Sequence, residues 1–302
     1  MKRFSSIAAL AAFMLAAAAC GSDGASPSTT AGPEPTSGAE TTNPEPLPQA
    51  IVSLSPTATE MLFAIGAGDQ VIAVDEYSNY PAEALEKPND LSGFEPNVEA
   101  IAALEPDLVV MQDDTVKAQL EALGIPVWVG PAAATFDDVY TQIEQLGEAT
   151  GHIAEAAELV SQIQGEIAAA VAAVGATADG VRVYHELDPT FYSLTSNTFA
   201  GQVYELFGVD NIADGAQEGN DYPQLNAEYI VAAAPTLIVL ADGTCCGESA
   251  DTVAARPGWA VVPAVANGDI VVIEDDIASR WGPRIAEFVI AVGEALAKVA
   301  AA

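Results

Sequence analysis

The chain holds two histidines, His152 and His185, and three cysteines, Cys20, Cys245 and Cys246, against 43 aspartates and glutamates. Bond-making chemistry needs a nucleophile beside a base, or a cluster of metal ligands. Neither histidine stands near a Gly-x-Ser-x-Gly turn, and the sequence contains no such turn. Carboxylate pairs occur at Asp113/Asp114 and Asp275/Asp276, but adjacent residues point in different directions and are ordinarily solvated. An enzyme, for instance a surface-anchored hydrolase, is therefore the weaker reading, and a bare metal ion would need more histidine. What remains is a set of aromatic and arginine side chains in loops: Tyr77, Phe94, Phe191, Tyr192, Tyr222, Arg280 and Trp281. Such residues suit large flat ligands, which favour aromatic walls with a few directed polar groups. The chemistry expected is recognition, with no resident cofactor.

Arginine is scarce. After the first twenty residues the chain has Arg182, Arg256, Arg280 and Arg284. In so acidic a protein, Arg280 in an aromatic-flanked loop is expected to contact a carboxylate, phosphate or amide of a ligand. Pairing with Asp275, Asp276 or Glu287 is the other reading for Arg280, and stands level with ligand contact for Arg284. Cys245 and Cys246 are adjacent in a glycine-flanked loop. In an oxidising compartment they can form an adjacent-residue disulfide that stiffens the loop; two free thiols are the alternative.

The 302 residues are 50% hydrophobic and carry a formal net charge of −34. Phosphate backbones require basic patches, so nucleic acid is excluded as a partner. The acidity can steer the protein toward a basic partner, or reflect a genome-wide or salt-adapted bias. Residues 1–20, MKRFSSIAALAAFMLAAAAC, place two basic residues before an apolar run of small and bulky side chains. That is an export signal rather than a spanning helix. Residues 21–49 are rich in Ser, Thr, Pro, Gly and Glu with almost nothing to bury, the composition of a disordered tether.

Two elements must position the loops, because one stretch occurs twice. NVEAIAALEPDLVVM at 97–111 matches NAEYIVAAAPTLIVL at 226–240 at seven of fifteen positions without a gap. Each copy reads as a short helix capped by Asn97 or Asn226, with Glu99 or Glu228 in its first turn, a proline stop, and a strand apolar on both faces. The order of elements predicts two α/β lobes, each with a mainly parallel sheet flanked by helices. Residues 152–175 lack proline and predict one helix of about 22 residues, roughly 33 Å at ~1.5 Å per residue. The expected organisation is a first lobe at 50–150, a rigid linker helix at 151–178 and a second lobe at 179–302. The ligand is expected beyond the C-terminal ends of the strands.

With these pieces placed, the chain resembles the iron-chelate/cobalamin family of periplasmic substrate-binding proteins of ABC importers. The residues that carry the resemblance are SLSPTATEMLFAIGAG, EYSNYP, the two repeat copies, YPQ ahead of the second copy, and ASRWGPRI near the end. The resemblance covers about residues 50–300. It implies a monomer of two lobes joined by one long helix, a metal-chelate ligand between them, and an ABC permease/ATPase complex as partner. It implies that Glu99 and Glu228 dock onto arginines of the permease. It also implies that Tyr77, Phe94, Tyr222 and Arg280 stand at ligand-contacting positions. Phe94 and Tyr222 replace tryptophans frequent in cobalamin-binding relatives, and Trp281 is an addition, so a corrinoid, a ferric siderophore or haem all remain candidates. The leader resembles a bacterial lipoprotein signal, which implies that Cys20 is lipidated and anchors the exported protein to the outer face of the cytoplasmic membrane.

Overall fold

The computed structural model describes residues 46–300. The leader, Cys20 and most of the expected tether lie outside the described residues. The first lobe opens with β1 (Ile51–Leu54), α1 (Pro56–Ala64) and β2 (Val71–Val74). α2 (Val98–Ala102), β3 (Leu108–Met111), α3 (Lys117–Ala122), β4 (Val127–Val129) and α4 (Phe136–Thr150) complete it. Its sheet runs β2-β1-β3-β4, all parallel, with Ile51 opposite Leu108 and Leu54 opposite Met111.

The second lobe repeats this plan. It holds β5 (Arg182–Glu186), α6 (Gly201–Leu206), β6 (Asp210–Asn211), α7 (Ala227–Ala233) and β7 (Leu237–Leu240). Then follow four short helices around one strand: α8 (Gly243–Cys246), α9 (Ala250–Ala254), α10 (Pro263–Asn267), β8 (Ile270–Val272) and α11 (Asp275–Ser279). The long α12 (Ile285–Ala300) closes the fold. The sheet order is β6-β5-β7-β8, again all parallel.

The duplicated stretch therefore occupies the same place in both sheets, as α2–β3 and α7–β7. Asn97 Oδ1 accepts from the Ala100 amide at 3.0 Å, and Asn226 Oδ1 from the Tyr229 amide at 2.9 Å. These bonds satisfy amides that the first helical turn leaves free. Both following strands, LVVM and LIVL, are buried along their whole length.

Between the lobes runs α5 (Ile153–Val174), 22 residues long, packed along α4 and α12. One contiguous hydrophobic cluster extends from Ile51 and Met61, through Ile163 of α5, to Val183 and Phe288. A close-packed interior of this kind resists shear, so the linker is a splint between lobes. Among the described residues no helix is long and apolar enough to cross a membrane.

One local expectation differs. Pro48 and Gln49, expected in the tether, are tied to the first lobe. The Gln49 amide donates to Asp107 Oδ2 at 2.9 Å, and Gln70 Nε2 donates to the Pro48 carbonyl at 2.9 Å. In the second lobe α6 starts at Gly201. There the Thr198 hydroxyl accepts from the Gly201 amide at 3.0 Å, while Ser196 bonds Asp214 and Asn197 bonds Asp221.

Candidate ligand-binding site

Open parallel sheets bind ligands beyond their strand C-termini. In the first lobe those ends are the chain after Leu54, after Val74 and after Met111. They converge on a pocket of about 230 Å³ lined by Leu54, Asp75, Tyr77, Phe94, Gln112 and Asp113, with Arg280 and Trp281 arriving from the second lobe. Tyr77, Phe94, Arg280 and Trp281 were all expected from the sequence, and the structure brings these four together. Tyr77 and Phe94 meet edge to face, their ring centroids 5.4 Å apart. Phe94 is 78% exposed. An aromatic pair left in solvent, away from any core, is a wall waiting for a partner.

Arg280 lines the pocket and is also paired within the protein. Its Nη1 donates to Glu60 Oε1 at 2.7 Å and to Asn79 Oδ1 at 2.9 Å, and its Nη2 reaches the Tyr77 carbonyl at 3.1 Å and Asp276 Oδ1 at 2.9 Å. All four Nη donors are occupied by protein. Arg284 is paired too. Its Nε and Nη2 hold both oxygens of Glu60 at 2.9 and 2.7 Å, its Nη1 holds Glu274 Oε2 at 2.9 Å, and its guanidinium lies 4.1 Å from the centre of the Tyr80 ring. Of the acids expected for this pairing, only Asp276 takes part in an ion pair, with Arg280. The principal acceptor is Glu60, 1% exposed on α1. One first-lobe carboxylate thus clamps two second-lobe arginines.

Glu60 lies one turn into α1, on the buried face beside Met61 and Leu62. A glutamate inside an apolar run of a chain with so few arginines is the signal that identifies such a partner. A larger groove of about 800 Å³ flanks this clamp, between α1, α5 and the start of α12. Its rim carries Asp69, Glu83, Glu86, Glu166 and Glu287, and no strand end opens into it.

The second lobe's strand ends are closed by their own side chains. Glu186, fully buried at the end of β5, accepts Arg256 Nη1 at 2.6 Å and also Nη2, while Glu248 Oε2 takes Arg256 Nη2 at 2.8 Å. The Arg256 guanidinium lies 4.7 Å from the Trp259 ring centre and 5.3 Å from that of Phe191. Phe191 itself stacks on Trp259 at 5.8 Å. With φ at +69° its backbone is in the left-handed region, disfavoured for a bulky side chain, and its ring joins the second-lobe core. Phe191 is therefore half-buried against the second-lobe core, apart from the first-lobe pocket. Neither Tyr192 nor Tyr222 lines the first-lobe pocket; both are 40% exposed or more, on segments joined by the Tyr192–Gln224 bridge. Sequence reasoning missed Arg256, Glu186 and Trp259.

Behind this network Asp242 is fully buried, and no donor reaches either of its oxygens. Burial, then the negative charges of Glu186 and Glu248, push its carboxyl up to about 7. The sulfurs of Cys245 and Cys246 are bonded to each other. The amides of Thr244 and Cys245 donate to the two oxygens of Asp275 at 3.0 and 2.7 Å, fixing that loop to α11. His185 is fully buried on β5, its Nδ1 2.6 Å from the Tyr204 hydroxyl, and burial lowers its pKa to about 3. It has no metal-ligand company, and among the described residues no cluster of three or more His, Cys, Asp and Glu could hold a metal ion.

Glu99 and Glu228 are exposed in the first turns of α2 and α7. They hold the same position in the two lobes.

A family model described as "Periplasmic binding protein" matches residues 51–277. YvrC of Bacillus subtilis, an uncharacterized ABC transporter substrate-binding lipoprotein, is 30% identical over 82% of this chain and 80% of its own length. The cobalamin-binding protein of Halobacterium salinarum is 32% identical over 80% of this chain and 67% of its own. The solved structure of the periplasmic heme-binding protein RhuT from Roseiflexus sp. RS-1, in apo form, superposes with a TM-score of 0.71 at 25% identity, covering 83% of this chain and 99% of RhuT.

Proposed function

Because the chain belongs to the periplasmic binding protein family, we propose that it is a substrate-binding lipoprotein that captures a corrinoid between its lobes and hands it to an ABC importer. The observation that carries the ligand class is the solvent-facing Tyr77–Phe94 pair at the first-lobe strand ends, with Trp281 across from it. A pocket of about 230 Å³ is below the ~300 Å³ of ordinary small-molecule sites. It suits one edge of a large flat chelate whose remainder lies between the lobes. The name of the Halobacterium relative supports cobalamin. Haem is the second reading, supported by the name of RhuT, and ferric siderophores are a third. Family members serve transport, and this chain is read as making and breaking no covalent bond.

Delivery is assigned to Glu99 and Glu228. Exposed ion pairs contribute at most ~1 kcal/mol each, so one carboxylate per lobe sets register and encounter rate more than affinity. Anchoring is assigned to Cys20, which places the lobes on the outer side of the cytoplasmic membrane; the name of YvrC supports the lipoprotein assignment. The protein is read as a monomer.

Titration of tryptophan fluorescence with cyanocobalamin, haem and a ferric siderophore, with inner-filter controls, tests the ligand class. Saturable quenching by cyanocobalamin is expected. Saturation by haem or siderophore alone transfers the assignment to that ligand, and no response to any of the three removes the chelate assignment.

A further inference from the structure

Two buried polar atoms at the first-lobe pocket, Asp75 Oδ2 and Trp281 Nε1, have no hydrogen-bond partner. Asp75, at the end of β2, is 1% exposed. Its Oδ1 accepts from the Tyr77 amide at 3.0 Å, and no donor reaches its Oδ2. Trp281 Nε1, a pure donor, is buried and also lacks a partner. Both residues line the same 230 Å³ space. Native interiors rarely leave such groups unsatisfied, because each one costs free energy when removed from water. Gly93 keeps the approach to the carboxylate clear: a Cβ there would come within 2.8 Å of Asp75 Oδ2 and 3.0 Å of the Leu54 carbonyl.

Resting on the corrinoid reading, we propose that Asp75 Oδ2 and Trp281 Nε1 form a subsite for the carboxamide side chains on one edge of the corrin ring. The carboxylate takes an amide N–H, and the indole N–H gives to an amide carbonyl. An amide-bearing edge carries both kinds of group. A haem edge carries carboxylates, which can accept from Trp281 but offer Asp75 no N–H and set a second negative charge beside it. A site built to bond a particular donor rejects analogues that lack it, since its own buried group is then left unpaired. Tyr77 and Phe94 supply ring contact without regard to edge chemistry. Asp75 and Trp281 supply the discrimination.

The experiment is calorimetric titration of the protein and its Asp75→Asn and Trp281→Phe variants with two corrinoids: dicyanocobinamide, whose ring edge carries amides, and the dicyano heptamethyl ester of cobyrinic acid, whose edge carries ester carbonyls only. The native protein should bind the amide corrinoid roughly tenfold or more tightly over the ester. In Asp75→Asn, Oδ1 keeps the Tyr77 amide and an NH₂ donor replaces Oδ2, so the preference should collapse or reverse. Trp281→Phe keeps an aromatic surface and loses the donor. It should weaken both corrinoids, which both present carbonyls, while keeping the amide preference. Thermal melts check that each variant folds. Tight cobinamide binding with the same amide-to-ester ratio in the native protein and Asp75→Asn overturns the subsite and leaves the corrinoid reading standing. Failure of both corrinoids to bind a folded native protein overturns the corrinoid reading and the subsite together.

Discussion

The two lobes share a strand order and differ at the strand ends. In the first lobe, Tyr77 and Phe94 stand in solvent and Asp75 keeps an oxygen without a donor. In the second, Glu186 is gripped by Arg256, and Arg256 lies against Phe191 and Trp259. One duplicated plan has therefore been used in two ways. At its strand ends the second lobe pairs Glu186 with Arg256, leaves Asp242 buried without a donor, and sends Arg280 and Arg284 across to Glu60. The first lobe keeps its aromatic pair open to solvent at the pocket.

The comparison breaks most completely at the one feature both lobes keep alike. Reversing both Glu99 and Glu228 to arginine should abolish uptake in cells while leaving ligand affinity unchanged, because neither residue lines the pocket. Transport surviving the double reversal would remove the docking assignment. Next in size is the clamp. Glu60→Ala leaves two largely buried guanidiniums short of their shared acceptor and should cost about 3–5 kcal/mol of stability by urea unfolding. A loss below ~1 kcal/mol would show that the lobes do not depend on it.

Phe94→Ala sharpens the contrast between wall and core. At 78% exposure its truncation should change stability by no more than ~0.5 kcal/mol, yet weaken chelate binding by ~1 kcal/mol or more. Equal affinity in the variant would place the ligand elsewhere. A fourth test concerns Asp242. Its carboxyl sits at about 7 in the folded protein, against an ordinary unfolded value near ~4. Between those values the folded state holds a proton that the unfolded state has lost, so this group adds stability as pH falls from 7 toward 4. Asp242→Asn should remove that gain. Unfolding at pH 7.5 and 5.5 should show the native protein gaining on the variant at the lower pH; a constant difference would mean that Asp242 is ionised when buried.

Much of the fold was legible because periodicity and caps are local. The linker, the capped repeat helices and the buried LVVM and LIVL strands follow from residues within a few positions of one another. The aromatic wall was legible because Tyr77 and Phe94 sit in loops after strands. The acceptor of Arg280, Glu60, was not legible because it lies 220 residues away on a helix whose apolar neighbours conceal it. The packing of Phe191 on Trp259 was not legible because it follows from a left-handed backbone. Asp75 was passed over as the first residue of a loop; its missing partner is a property of packing, which no local pattern encodes.

The account rests most directly on the first lobe being the recognition surface of a chelate-binding protein. Calorimetric titration with cyanocobalamin, comparing the native protein with Phe94→Ala and with Tyr192→Ala, tests this. The account predicts saturable one-to-one binding, with the larger loss of affinity at Phe94. Binding that is insensitive to Phe94, or no heat from a folded native protein, would contradict it.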